Sequence, residues 1–518
     1  MHTTLSAQEL LSAQSRLVQP GEFHPSTHFY PRVLNAQMHP LVASFFRMRP
    51  EQLVSRYCHL NPQVDREALL ELLTRQTKHL HWAGADLFYT VTEEGARRMI
   101  VVETNSCPSG HKSTPLLSED HEHGGFQRLI EHSFLPRLKR REKKSLPQGG
   151  LAVIYDKNYM EASGYATTLA DLTHEPVYLA PMPHEGHVTE DGARAAWFNS
   201  DGVLIVRGPN GEEVPIRAAM RYVTQRPWTR VPCGSKTLLT NPVVACLAGG
   251  RNKLIASKAY ELFNGKLSHT GLQIRTPKTI HDVTLQEVPL WVERFGGYAV
   301  VKNPYSNAGQ GVWTITSERD LELFKADNHS YDQFIVQALI GDSGWSSRHA
   351  GSRYFHVGTM PNRRGEIFVA DLRMMVCSGP DGFKPVSIYA RRASTPLPPE
   401  LHPDTPSWPI LGTNLSVDQG AGSWAAETER LLLMDERDFN KLGLGPDDLV
   451  EGYIQAVLST LAIDEMASRL SYGSPRQSNR ADQSQQERAT RKGDLKVKLF
   501  SSLNNDPALL LEIKQGSR

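Results

Sequence analysis

The stretch Tyr298-Ala-Val-Val-Lys-Asn-Pro-Tyr-Ser-Asn-Ala-Gly-Gln-Gly-Val-Trp-Thr-Ile315 combines a lysine, two glycines and small polar residues at a spacing suited to phosphate chemistry. Lys302 closes one short apolar run, and Ser306, Asn307, Gly309 and Gly311 separate it from the next. Glycines let a backbone turn through positive φ and present its N–H groups to phosphate oxygens, while a lysine at the loop base adds a point charge. The same pattern also suits an ordinary hairpin with a glycine-rich turn. It is neither the Gly-Lys-Ser/Thr helix start of a P-loop nor the three-glycine dinucleotide fingerprint, because here the lysine precedes the glycines. A second set of candidates is Arg221, Arg226 and Arg230, grouped around Pro227-Trp228, where guanidiniums could clamp an acidic substrate bidentately or serve packing and surface charge.

These residues need elements to position them. Tyr298–Val301 and Val312–Ile315 read as strands, rich in β-branched and aromatic side chains, and Phe334 to Gly341 as an apolar strand running into a hinge. Leu254 to Phe263 has helical spacing, with Asn252 and Lys253 at its start. Leu151 to Asp156, Ala162 to Leu172 and Pro176 to Ala180 alternate strand, helix and strand, which predicts a parallel βαβ unit. The runs 202–207 and 213–217, joined through Gly211, predict a hairpin leaving that unit. Gly84 to Tyr89 and Met99 to Asn105 read as two more strands, and Arg353–Met360 and Glu366–Val376 as a pair around Pro361-Asn-Arg-Arg-Gly365, with Asp371 and Arg373 on one strand face. Helical patterns dominate residues 1–80 and return at Asp448–Asp464.

The order of strand, lysine, glycine loop and hinge resembles the ATP-grasp superfamily, in which a nucleotide lies between two antiparallel sheets under a glycine-rich loop. The resemblance spans roughly residues 80 to 420. Lys253 matches the family's first nucleotide lysine and Lys302 its second. Ser306, Asn307, Gly309 and Gly311 match the covering loop, and Gln337, Ala338 and Ile340 the adenine hinge. In most members an acidic residue and a Glu-x-Asn follow the glycine loop. Here Asp86, Glu103 and Asn105 precede it, and the continuation to Pro108-Ser-Gly110 is similar to circularly permuted members. Two carboxylates and an amide oxygen are hard donors suited to Mg²⁺, and Glu and Asn two apart on a strand face the same side.

The resemblance implies an α/β (α+β) class: an ATP-grasp fold in permuted order, with an accompanying small α/β lobe and N-terminal helices. The implied division is a helical region at 1–80, metal-binding strands and linker at 81–150, a substrate lobe at 151–240 and nucleotide-binding lobes at 241–470. A polar segment at 471–493, too poor in apolar residues to order itself, and a C-terminal segment at 494–518 follow. The implied activity is ligation of a carboxylate to an amine through an acyl-phosphate, with ATP and Mg²⁺ as cofactors, Lys302 and Arg373 serving the transferring phosphate, and Asp86, Glu103 and Asn105 holding the metal. A kinase on the same scaffold and a non-catalytic relative, suggested by Gln337 where similar enzymes often carry Glu, are the rival readings.

Composition bounds the partners. Over 518 residues, 57 Lys+Arg against 56 Asp+Glu give a net charge of +1, which supports neither nucleic-acid nor membrane-surface binding; small-molecule carboxylate and amine substrates are what the resemblance implies. Arg137 to Lys144 is a local basic run, read as a solvated helix face or exposed linker. Five scattered cysteines without a Cys-x-x-Cys pair suit a reducing compartment. No apolar run approaches the ~20 residues of a membrane span and no leader pattern opens the chain, so a cytoplasmic location is expected. His111, His121, His123 and His132 invite a metal reading, but two of them fall in a polar loop.

Overall fold

The computed structural model describes residues 15–118, 122–143, 146–183, 194–306, 311–348, 353–402, 404–420, 423–471 and 511–512. The loop residues Asn307 and Gly309 and nearly all of the polar segment 471–493 lie outside the described residues.

Strand β1 (Arg16–Val18) leads into five short helices, α1 (Pro25–His28), α2 (Pro31–Leu34), α3 (Pro40–Phe46), α4 (Pro50–Leu60) and α5 (Arg66–Thr74). Proline at the first turn starts α1 to α4, because its missing N–H is an orphan there anyway. Asp65 caps α5 by accepting from the N–H groups of Glu67 and Ala68. Next come the hairpin β2 (Trp82–Thr92) and β3 (Arg97–Ser106), then α6 (Gly124–Leu129) and α7 (Leu135–Glu142). Helix α7 carries the basic run, and residues 139 to 143 stand exposed as expected of a solvated face.

The βαβ unit follows as β4 (Gly150–Tyr155), α8 (Tyr159–Thr173) and β5 (Val177–Pro181). Strands β6 (Ala196–Phe198), β7 (Leu204–Arg207), β8 (Glu213–Tyr222) and β9 (Leu238–Thr240) complete one sheet. Its order is β1-β5-β4-β8-β7-β6, with β9 beside β8. Strand β5 runs parallel to β4, as the sequence pattern required; β8 also runs parallel to β4, and β7 returns on β8 as a hairpin. The edge strand β1 comes from the region where helical patterns dominate the sequence.

After α9 (Val243–Ala245) and α10 (Lys253–Leu267), strand β10 (Thr279–Thr284), helix α11 (Val288–Arg294), strands β11 (Ala299–Lys302) and β12 (Val312–Ile315), helix α12 (Glu318–Ala326) and strand β13 (Gln333–Ala338) form an antiparallel sheet in the order β10-β13-β11-β12. Alternation along β11 sends Ala299 and Val301 into a core with Val292, Phe295 and Phe324, and leaves Val300 and Lys302 on the other face.

Strands β14 (Tyr354–His356), β15 (Ala370–Gly379) and β16 (Gly382–Arg392) join the N-terminal hairpin in a sheet ordered β14-β2-β15-β16-β19, with β3 beside β2. Helix α13 (Trp408–Leu411), the ribbon β17 (Ser416–Gly420) and β18 (Ser423–Ala426), strand β19 (Leu431–Leu432), and helices α14 (Glu436–Leu442) and α15 (Pro446–Ser471) complete the chain. Leu87, Leu372 and Met374 from this sheet share one core with Leu449, Tyr453, Val457 and Leu461 of α15. The opposite face looks toward the β10–β13 sheet. One expectation fails here: β14 does not pair with the strand that follows it but lies on the far side of β2, with Tyr354 opposite Thr92. Period-two alternation marks a strand without naming its neighbour.

Candidate functional site

Antiparallel register stacks chemistry across four strands. Glu103 of β3 stands opposite Asp86 of β2, Asp86 opposite Arg373 of β15, and Arg373 opposite Tyr389 of β16. A bulge between Asp86 and Leu87 places Val101 and Glu103 on partners that are adjacent in sequence. The row borders a cavity of about 300 Å³ between this sheet, the β10–β13 sheet and the carboxyl ends of β4 and β8. Asp86, Glu103, Asn105, Lys253, Lys302, Ser306, Gln337, Ala338, Ile340 and Arg373 all line it. A neighbouring recess of about 430 Å³ shares Glu103, Lys253, Lys302 and Gln337.

Lys253 opens α10, whose cap Asn252 accepts from the Ile255 N–H at 3.0 Å. Its ammonium donates to the Ser306 carbonyl at 3.1 Å and hydroxyl at 3.0 Å, and lies 3.5 Å from Glu103. It thus ties the foot of the glycine loop to the sheet that carries Glu103. Gly311 ends that loop at φ 63°, where a Cβ would sit 2.5 Å from the Asn303 amide. Lys302, 6% exposed, forms no ion pair or hydrogen bond among the described residues. Burial pushes its ammonium down to about 8; Glu103 opposes that shift and Lys253 adds to it. A desolvated cation without a partner wants an anion. Gln337 bridges β13 to β10 by donating to Thr279 at 2.9 Å.

Arg373 donates through Nε and Nη2 to the two oxygens of Asp86, each at 2.6 Å, and through Nη1 to the Tyr389 hydroxyl at 3.1 Å. Arg391 lies 3.0 Å from Asp86 and forks onto Asp371. Burial opposes ionisation of Asp86, yet the two guanidiniums hold it well below the usual carboxylate range. These bonds correct two expectations. Asp371 engages Arg391 on β16, not Arg373 on its own strand, because cross-strand neighbours are closer than same-strand residues two apart. Asp86, with both oxygens committed to Arg373, is not placed as an open metal ligand. Glu103 lies 3.5 Å from Lys253, and the Asn105 amide oxygen accepts from Arg251 at 3.2 Å. Each of these two oxygen donors meets one cation among the described residues, against the three guanidinium contacts on Asp86, and they share one strand face, a set that fits Mg²⁺ when phosphate oxygens complete it.

The arginine clamp is corrected as well. Arg221 is fully buried and donates to the carbonyls of Asn241 and Val223 and to the sulfurs of Cys107 and Cys246, the latter two at 3.1 Å. Arg226 pairs with Glu512 at 2.9 Å and Arg230 with Asp156 at 3.2 Å. None of the three lines the cavity. Arg32 pairs with Asp438, while Tyr30, two residues before it, lines the cavity. Of the histidines, His111 is buried against Trp82, Phe126 and Tyr165, His123 pairs with Asp171 at 2.7 Å, His132 meets the Gly382 carbonyl, and His121 lies outside the described residues. Among the described residues no group of three or more His, Cys, Asp or Glu could hold a metal.

Sequence reasoning missed Lys112, Lys157, Arg251 and Arg391, all in the cavity wall. Lys157 follows a parallel strand directly, a position where α/β sheets place ligands, so its signal was present. Gly110 permits Lys112 to approach, since a Cβ there would meet the Tyr389 ring at 2.5 Å. Seven cationic side chains, Lys112, Lys157, Arg251, Lys253, Lys302, Arg373 and Arg391, face three carboxylates in this wall. The surplus suits a polyanion.

No family model and no curated protein matches the chain. Its fold is mixed α/β, and its similarities to solved structures are distant. A glutathione synthetase-like effector from Globodera pallida is 9% identical, with 70% of this chain and 85% of that one covered at TM-score 0.36. A RimK domain ATP-grasp protein from Sphaerobacter thermophilus is 13% identical over 46% and 90%, at TM-score 0.25. D-alanyl-alanine synthetase A from Vibrio cholerae is 10% identical over 47% and 89%, at TM-score 0.28.

Proposed function

We propose that this chain is an ATP-dependent ligase of the circularly permuted ATP-grasp type, joining a carboxylate to an amine with release of ADP and phosphate. The observation that carries the reading is the meeting of Glu103 and Asn105, from the N-terminal hairpin, with Lys253, Lys302 and Ser306 in one cavity. The sequence order separates these groups widely, and the facing of the sheet that holds β3 by the β10–β13 sheet and the start of α10 brings them together.

In this reading a carboxylate oxygen of the acid attacks the γ-phosphorus and ADP leaves. The amine nitrogen then attacks the acyl carbon, phosphate leaves and the nitrogen loses a proton. Crowding a carboxylate against a triphosphate is electrostatically costly, so the protein must supply fixed positive charge and alignment. Lys302 and Lys253 hold phosphate oxygens at the loop foot. Gln337, Ala338 and Ile340 form the strand and hinge along the base. Arg373, oriented by Asp86 and Tyr389, stabilises charge developing on the transferring group. Glu103 and Asn105 would hold Mg²⁺, whose chemistry is to neutralise and orient phosphate oxygens. Cys107 lines the cavity, but burial raises its thiol, and the ligation requires no protein nucleophile.

ADP release measured against pooled amino acids, polyamines and small peptides, with mass detection of the conjugate, tests the reaction class. A phosphorylated product without amine incorporation would make the chain a kinase instead. Absence of nucleotide binding would remove the reading altogether.

A further inference from the structure

The end of the cavity that faces the β4–β8 sheet has no task in the chemistry above. It lies where strand order reverses: β4 has β5 on one side and β8 on the other, both parallel to it. Connections leaving two such neighbours in opposite directions open a crevice at their carboxyl ends, where open α/β sheets bind ligands. Strand β4 runs out into Asp156-Lys157-Asn158 and β8 ends at Tyr222, and Lys157, Asn158 and Tyr222 line the cavity. Asn158 holds a left-handed backbone at φ 51° and donates to the Tyr222 hydroxyl at 3.1 Å.

The opposite wall is fixed by Glu161, fully buried in the first turn of α8. It accepts from the N–H groups of Gly110 and His111, each at 2.9 Å, and from the Ser109 hydroxyl at 3.2 Å. That clamp sets Lys112, 8% exposed, into the same crevice with its ammonium 5.0 Å above the Tyr30 ring. Neither Lys112 nor Lys157 forms an ion pair with a carboxylate among the described residues. Asp156, beside Lys157, is already taken by Thr224, Gln225 and Arg230. Burial, reinforced by Arg251, pushes the Lys157 ammonium down to about 8. Arg251, Arg373 and Lys112 lower the Lys157 ammonium and Asp156 opposes them, whereas Lys302 answers to Glu103, Lys253 and Asp86.

We propose that Lys157 and Lys112 form a second anion subsite, which holds a carboxylate of the acid substrate other than the reacting one, so that the enzyme selects dicarboxylic or polycarboxylic acids. The inference rests on the ligase reading of the same cavity. A magnesium-bound triphosphate and one reacting carboxylate do not exhaust the surplus of cations, and although Glu161 acts on Lys112 and Asp156 on Lys157, two buried ammoniums without an ion pair among the described residues are costly. A remote carboxylate offsets that cost and pins the acid at its far end, which aligns the reacting end.

The test is calorimetric titration of the full chain with chain-matched acids, from malonate to adipate against the corresponding monocarboxylates, and glutamate against glutamine. Each is measured with and without a non-hydrolysable ATP analogue and Mg²⁺. The expected result is that at least one diacid binds about ten-fold or more tightly than its monoacid. Lys157→Met abolishes that preference, Lys157→Arg restores much of it, and the analogue binds all three proteins alike. The glutamate arm separates a free diacid from an amino diacid. No diacid preference in the wild-type protein, or a preference that survives in Lys157→Met, overturns the subsite. Failure of the analogue to bind overturns the nucleotide reading instead, and the diacid comparison still decides the subsite.

Discussion

Arg373 and Asp86 stand directly opposite each other on adjacent antiparallel strands and are joined by two hydrogen bonds of 2.6 Å. Their side chains are 13% and 10% exposed, so removing Arg373 leaves the nearly buried Asp86 carboxylate with Arg391, at 3.0 Å, as its remaining guanidinium. We expect Arg373→Met to destabilise the chain by about 1.5–3 kcal/mol, less than the loss of a sole partner would cost, because Arg391 still faces Asp86. The double variant Arg373→Met/Asp86→Leu should recover part of that loss, since the carboxylate that lost a partner is then gone and Arg391 keeps Asp371. Denaturant titrations of the single and double variants measure both, and a wild-type midpoint for Arg373→Met would show that the fork contributes nothing.

Lys302 should separate activity from folding. Because its ammonium is desolvated and has no partner among the described residues, Lys302→Ala removes no interaction that stabilises the fold. Circular dichroism and melting near wild type are expected, with ATP-dependent turnover reduced by about 100-fold or more. Full turnover by the folded variant would exclude it from the nucleotide site.

The metal reading is tested by titrating Mg²⁺. Glu103→Gln removes one negative charge at nearly constant size, and Asn105→Ala removes an amide oxygen, so both should need far more Mg²⁺ for half-maximal activity. Glu94→Gln, exposed on the turn between the same two strands, should not. Equal Mg²⁺ requirements in all three would place the metal elsewhere.

His111 predicts acid sensitivity with a defined sign. Burial holds its imidazole down to about 4, and neither ring nitrogen has a hydrogen-bond partner among the described residues. The unfolded chain takes up a proton near pH 6.5 while the folded chain resists until about pH 4, so stability falls as pH drops through that window and is unaffected above it. The contribution is about 2–4 kcal/mol at the acid end. His111→Phe, which suits the surrounding Trp82, Phe126 and Tyr165 rings, should flatten the pH dependence of melting between pH 6.5 and 4. An unchanged slope would assign the acid sensitivity to other groups.

Arg226 offers a negative control. Its guanidinium pairs with Glu512 and lies away from the cavity, so Arg226→Ala should leave kcat and KM within about two-fold, in line with the small value of exposed pairs. A large rise in KM would return this turn to the substrate site.

Much of the site was legible because it depends on short-range pattern. The alternation of Ala299, Val300, Val301 and Lys302 already assigns Lys302 to the face opposite the buried valine, and Glu103 and Asn105 share a face by the period of two. Lys253 needed only a helix start after Asn252. None of these patterns names a neighbouring strand. That Arg373 meets Asp86 and not Asp371, and that β14 crosses to the far edge of β2, follows from pairing between segments far apart in the chain. Arg221 reads as a surface clamp until Asn241 and the two cysteines close around it, and Lys112 and Lys157 read as ordinary lysines until Glu161 and the reversal of strand order face them into one crevice. Periodicity reports which side of its own element a residue occupies; register, burial and the charge that surrounds it arise only when distant segments pack, and those decided this site.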